Sequence, residues 1–341
     1  MKKTRLQKVV DRALKAAALP LLIFVLFFII TRFVVSNSNS SFGSIDHIII
    51  ILKQVCPTLL MAMGMSLNMF AGRWDFSYGS MAVLTSIIAG NLANMWGLGA
   101  VPMLLICIIL NSLLGAINGL IYISIKLPAL VVSLGMVQIY EMFTAIVFGG
   151  TGATVRGDVT NLAVVPTIII VEAIAFVFYY IVINKTRMGY DIRSIGGGQE
   201  IARNIGINVR KNAFLCYVVG GVFIGMSAYM TICSNGTQRA TLNLESASVM
   251  FDAMMCVIIG GYVKRYCNVA VSVFIGVISM KLLVSGLLML GVPSQMQNII
   301  KGLFLLCFVA FSKNQYKIQE RKALKAQADA ANERFAAQKA S

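Results

Sequence analysis

The chain has 341 residues, 58% hydrophobic and only 12% charged, with a formal net charge of +16 and a mean hydropathy of +0.81. A soluble domain of this size carries roughly twice that share of charge, so composition excludes an ordinary water-soluble fold. It points to an all-α polytopic membrane protein, because only helices or closed barrels satisfy every backbone polar group in lipid.

Ten apolar runs approach the roughly 20 residues needed to cross a hydrocarbon core. In chain order they are 17–35, 45–70, 76–96, 98–123, 128–149, 161–184, 213–233, 247–262, 267–290 and 294–312. Residues 1–16 form a basic tail, and the first run reads as a retained anchor: it is long enough to span, and no A-x-A-like cleavage site follows it. The basic residues test the alternation. Six precede the first run, Arg73 and Lys126 follow the second and fourth, and six lie in the loop 185–212. Lys264 and Arg265 follow the eighth, and seven lie in the tail 313–341. If every run crosses once, these 23 of the 29 Lys and Arg share one side, and only Arg156 and Arg239 fall opposite. Positive residues mark the cytoplasmic face, so both termini are expected there.

The charge therefore reports topology and contact with membrane lipid. Nucleic acid is not an expected partner, since the basic residues are spread over several loops without a groove-entering motif. The seven cysteines fall mostly in or beside apolar runs without C-x-x-C spacing, and read as polarisable filler. His47 is the single histidine, which argues against a metal site, a His-based triad or a haem ligand pair. No plausible nucleophile–base constellation appears, so no catalytic residue and no enzyme activity is expected. No G-x-x-x-x-G-K-[ST] motif occurs either, so ATP is not bound here through a P-loop.

Gly72–Ser80, GRWDFSYGS, interrupts the apolar sequence between the second and third runs. Asp75 suits a cap for the following helix, accepting N–H groups near Ser77 and Tyr78. Two readings stand: an interrupted helix whose end opens on a water-filled cavity, or an ordinary turn with a capping aspartate. Lys53, Glu141, Glu172, Asp252, Lys281 and Lys301 lie inside apolar runs. An unpaired charge in lipid costs at least about 2.5 kcal/mol. These six are therefore expected to neutralise one another or to line an outward-open polar cavity. The spacings Gly115–Gly119 and Gly221–Gly225 suit close helix packing, with Asn118 hydrogen-bonding between helices.

The longest hydrophilic insertion includes Thr186–Arg210, TRMGYDIRSIGGGQEIARNIGINVR. Gly196, Gly197 and Gly198 predict a flexible turn. Gln199 to Asn204 suit a short helix with Glu200 near its positive end, and Gly206 offers a left-handed stop. The segment reads as a helix that docks into a partner's groove, or as a solvated amphipathic connector.

These residues together resemble the permease subunit of ribose-type ABC sugar importers, a family with autoinducer and nucleoside relatives. Trp74-Asp75-Phe76-Ser77-Tyr78-Gly79-Ser80 is similar to its I-D-L-S-V-G-S block, and Pro128 to Gly135 to its P-P-F-I-V-T-L-G. Gly197 to Val209 resembles G-N-E-E-A-A-R-L-S-G-I-N-V. Phe251-Asp252-Ala253 with Ile258 to Gly261 resembles L-D-A-I-A-A-V-V-I-G-G, and Gly291-Val292-Pro293 with Ile300-Lys301-Gly302 its closing G-V…I-K-G. Arg73 stands where the pattern has glycine, and Tyr262 to Cys267 replace a glycine-rich turn. The resemblance implies a bacterial plasma (inner) membrane permease that pairs with a second copy or homologue. It would receive a monosaccharide or related solute from an extracytoplasmic binding protein and couple to a separate cytoplasmic ATPase that binds ATP and magnesium. Gly198, Gln199, Glu200, Ala202, Arg203 and Gly206 are then the coupling residues. Asp75, Phe76, Ser77, Tyr78, Asn118, Glu141 and Asp252 are the expected pathway residues. Nucleoside import on the same fold, and an ATP-independent secondary transporter, are the alternatives.

Overall fold

The computed structural model describes residues 5–34 and 42–310. Its elements are α1 (Arg5–Val34), α2 (Ile45–Met69), α3 (Tyr78–Trp96), α4 (Ala100–Ile125), α5 (Ala129–Ile146), β1 (Ala153–Thr154) and α6 (Thr167–Lys185). Then come α7 (Arg187–Gly197), α8 (Gln199–Asn204), α9 (Val209–Asn235), β2 (Thr237–Gln238), α10 (Ala247–Val263), α11 (Val269–Met289) and α12 (Ser294–Ala310). The helix α1 begins inside the segment read as a basic tail, while the expected tail 313–341 lies outside the described residues. Residues up to Leu290 form one unit, and α12 belongs to a second, Gly291–Ser341.

This is an all-α polytopic membrane protein. Seven helices (α1, α2, α4, α5, α6, α9 and α11) are long and apolar enough to cross a membrane, and α10 and α12 are apolar but shorter. The 19-residue α3 is mostly buried, Ser80 and Ser86 included. In the first unit α2, α9 and α11 form the centre, with 56%, 67% and 61% of their apolar windows buried, against 17% for α1 and 28% for α4 and α6. The outer helices keep broad apolar faces for lipid.

Small residues let the central helices touch. A Cβ at Gly115 would overlap the Tyr217 carbonyl, one at Gly225 the Cys107 carbonyl, and one at Gly221 would lie 2.5 Å from the Asn111 oxygen. The two glycine pairs read from spacing thus face each other across α4 and α9. Buried polar side chains tie further helices. His47 Nε2 lies 2.8 Å from Ser285 Oγ, joining α2 to α11, and Ser66 Oγ lies 2.6 Å from Tyr179 Oη, joining α2 to α6.

The feature that positions the site is a pair of segments leading from a helix end back into the bundle: residues 70–77 between α2 and α3, and 239–246 between α9 and α10. Their inner ends touch, since a Cβ at Gly79 would overlap the Ser246 carbonyl. The two returning segments come from opposite ends. Phe70, at the end of α2, packs against Gly196 of α7. At the other end Asn91 and Asn94 of α3 donate to Gly152 O and Thr154 O. There β1 pairs antiparallel with β2, which follows α9.

Two expectations are corrected. The run 161–184 becomes helical only at Thr167, after a short 3-10 turn over Gly157–Ala163. The glycine triplet is not a flexible turn: Gly196 and Gly197 complete α7, an amphipathic helix missed in the sequence, and only Gly198 forms the joint to α8. Gly196 is required for contact, since a Cβ there would overlap the Phe70 carbonyl.

Candidate functional site

The segment after α2 is held by buried polar side chains. Asp75 accepts from the Ser77 backbone N–H at 2.7 Å and from Ser77 Oγ at 2.6 Å, ordering the chain as it enters α3. Asn118 of α4 donates to Ser77 Oγ at 2.7 Å and accepts from Tyr140 Oη of α5 at 2.6 Å. A continuous chain Asp75–Ser77–Asn118–Tyr140 therefore joins the segment to two helices.

The segment before α10 is held by the neighbouring residue on α5. Glu141 accepts from Leu244 N at 2.8 Å and Ser246 N at 2.9 Å, one bond to each carboxylate oxygen. One turn further, Thr144 exchanges hydrogen bonds with Thr241 N and O, both at 3.1 Å. Tyr140 and Glu141 thus anchor both returning segments at one level, about 17 Å along α5 from its first residue. The segments meet there: a Cβ at Gly79 would overlap the Ser246 carbonyl, and the rings of Phe76 and Phe251 pack edge to face at 5.7 Å.

Arg73 stands behind this junction, only 1% exposed. Its Nε donates to Asn68 Oδ1 at 3.1 Å, and Nη2 donates to Asn212 Oδ1 at 2.8 Å and Cys216 Sγ at 3.3 Å. Asn68 in turn donates to Tyr78 Oη. The third nitrogen, Nη1, is buried with no partner. With Met65, Met69, Trp74, Asp75, Phe76, Tyr78 and Met254, Arg73 lines a crevice beside the junction.

Of the expected pathway residues, the structure joins Asp75, Ser77 and Asn118 in one chain of hydrogen bonds and ties Tyr78 through Asn68 to Arg73. Phe76 reaches Phe251, beside Asp252, and Glu141 reaches the second segment. Sequence reasoning gave no role to Tyr140 or Asn68 and used Arg73 only as a marker of sidedness. The one signal for Arg73 was a bulky cation in a place where the resembling pattern has glycine. The expected mutual neutralisation of charges does not hold for three members: Glu141 is satisfied by backbone N–H groups rather than by a lysine, the Glu172 carboxyl lies buried against the Cys56 thiol, and Lys53 is exposed.

At the end of the bundle bearing α7, the short α8 has one buried anchor, Ala202. Its end is closed by Ile207 N donating to Ala202 O and Gly206 N to Arg203 O, both at 3.0 Å, with Gly206 at φ +87°. Gln199, Glu200 and Arg203 are exposed, beside Ile201 and Ile205 at 66% and 68%. Among the described residues no cluster of His, Cys, Asp and Glu suits a metal ion.

A lipid-embedded helical bundle with two interrupted segments meeting in its interior has the arrangement of a solute permease. Residues 47–309 match the family described as the permease component of branched-chain amino acid transport systems, and the chain belongs to that family; it is a multi-pass plasma-membrane protein. It is 26% identical over 287 residues to the ribose import permease protein RbsC of Escherichia coli K12, covering 81% of this chain and 88% of the relative. Identity to the galactofuranose transporter permease protein YtfT of the same strain is 25%, covering 83% of each. Identity to the galactose/methyl galactoside import permease protein MglC of Haemophilus influenzae is also 25%, covering 78% and 86%. No solved structure matches the chain.

Proposed function

We propose that the chain is the permease subunit of an ABC importer and forms the pathway for a monosaccharide or related small polar solute. The observation that carries this reading is the meeting of two interrupted segments beside Tyr140 and Glu141 of α5. The crevice beside the junction brings Trp74, Phe76 and Tyr78 together with Asp75 and Arg73, aromatic faces and polar groups that suit a hydroxyl-rich ring. Relatives named for ribose, galactose and galactofuranose support a sugar over a nucleoside.

Energy enters from a separate ATPase docking on α8, and solute from an extracytoplasmic binding protein, with a second permease copy or homologue alongside. Four residues separate α8 from α9, whose Asn212 and Cys216 hold Arg73. Arg73 holds Asn68, and Asn68 holds Tyr78 at the start of α3. A shift of α8 on ATP binding therefore reaches the junction through hydrogen bonds, biasing a two-state equilibrium between inward and outward access.

The test is reconstitution of the chain with its ATPase and binding protein in proteoliposomes. Uptake of labelled pentose or hexose should require ATP. Changing Glu200 and Arg203 together to Ala should lose the co-purifying ATPase, whereas Arg73→Lys should keep the ATPase and lower uptake at least tenfold. Uptake by the chain alone, driven by an ion gradient, would overturn the importer reading.

A further inference from the structure

At the end of the bundle that carries α7, a pocket of about 490 Å³ opens between the end of α2, the end of α6, α7 and the turn joining α10 to α11. Its floor is apolar, built from Phe70, Ile183 and Ile192, and its rim carries three cations, Arg193, Lys264 and Arg265. These come from sequence positions some 70 residues apart, so only the fold assembles them.

Each cation rests on an aromatic ring. The Arg193 guanidinium lies 4.7 Å from the Tyr190 ring centre, and Lys264 Nζ lies 5.3 Å from that of Phe70. Arg265 lies 4.7 Å from the Tyr266 ring and donates to its hydroxyl. Rings orient a cation, at about 0.5–1 kcal/mol where exposed, without neutralising it. Among the described residues, no carboxylate forms an ion pair with any of the three. The pocket wall is also fixed, because Gly196 packs directly on the Phe70 carbonyl.

We propose that this pocket binds a phosphate group, carried either by an anionic phospholipid or by a soluble phosphate ester. Three preoriented, unneutralised donors around one space match a phosphate's several acceptor oxygens through charge-assisted hydrogen bonds. The volume lies within the range of small-molecule sites and leaves room for the glycerol or sugar that the phosphate esterifies. The apolar floor receives the carbon part. The pocket also lies where α2, α6 and α11 end or begin, the level at which head groups meet a membrane protein. An occupant would clamp α7 to α2 and α11, steadying the helix that leads into α8.

The full chain, purified and stripped of lipid, is tested by thermal unfolding and by native mass spectrometry. The probes are phosphatidylglycerol, phosphatidylcholine, glycerol 3-phosphate and inorganic phosphate. The variants are Arg193→Gln, Lys264→Gln and Arg265→Gln, singly and together, with Lys211→Gln as a cation on α9 outside the pocket. We expect one retained phosphatidylglycerol, or stabilisation by the soluble ester, in the parent chain and in Lys211→Gln. Each single pocket variant should bind about five- to tenfold more weakly, and the triple variant should lose the effect. A response to phosphatidylglycerol alone identifies lipid as the source, and an equal response to glycerol 3-phosphate identifies a soluble ligand. The same response in parent and triple variant, or an equal loss in Lys211→Gln, overturns the site. So does a triple variant that loses its ATPase partner while its lipid and phosphate responses match the parent's, which would assign the cations to a protein contact.

Discussion

Asp75 shows how a single buried group orders a whole segment. Its carboxylate accepts from the Ser77 backbone N–H and hydroxyl, so Asp75→Ala leaves both without that acceptor, at a cost of about 1–3 kcal/mol for each buried group. Thermal unfolding in micelles should show this loss, and Asp75→Asn, which keeps an acceptor for Ser77, should recover most of it; equal destabilisation by both variants would refute the role. Glu141 tests the other segment. Glu141→Ala leaves the N–H groups of Leu244 and Ser246 unpaired, a cost of about 3 kcal/mol at 1–3 kcal/mol each. Hydrogen exchange at these two amides should accelerate while amides in the middle of α9 stay protected. The sequence marked Asp75 as an acceptor for N–H groups near Ser77, as found, and Glu141 as a charge within an apolar run, but not the partners of Glu141. Glu141 is satisfied by backbone more than 100 residues away, and no periodicity encodes that.

At the level of elements, glycine spacing was informative and glycine clustering was not. Gly115–Gly119 and Gly221–Gly225 predicted close packing and lie where α4 meets α9, since a repeat of four residues returns to one helix face. The triplet at 196–198 predicted a flexible turn, yet two of its members are helical. For Gly196 the reason is tertiary: α7 lies against the end of α2, and only glycine lets the backbones touch there, whereas Gly197 has open space around it. Gly79→Leu and Gly221→Leu should each abolish the monodisperse folded chain in size-exclusion chromatography. Gly135→Ala, with open space around the site, should be indistinguishable from the parent.

For the molecule as a whole, charge asymmetry predicts which end faces the cytoplasm, and labelling tests it. In a cysteine-free background, Gln238→Cys beside the β1–β2 pair should react with an impermeant maleimide on intact cells. Gln199→Cys on α8 should react only after permeabilisation. The reverse pattern would invert the topology and remove α8 from reach of an ATPase. By itself the sequence determined the solvent of this protein, its helical class and its family, because run length, composition and local motifs are properties of contiguous residues. It also marked the interrupted segment at Gly72–Ser80 and the short helix at Gln199–Asn204. Only the tertiary structure decided that a second segment returns to meet the first, that one turn of α5 anchors both, and that Arg73 is buried behind them. The physical reason is that a buried polar group must find its partner wherever packing brings one; here those partners sit on helices far apart in the chain.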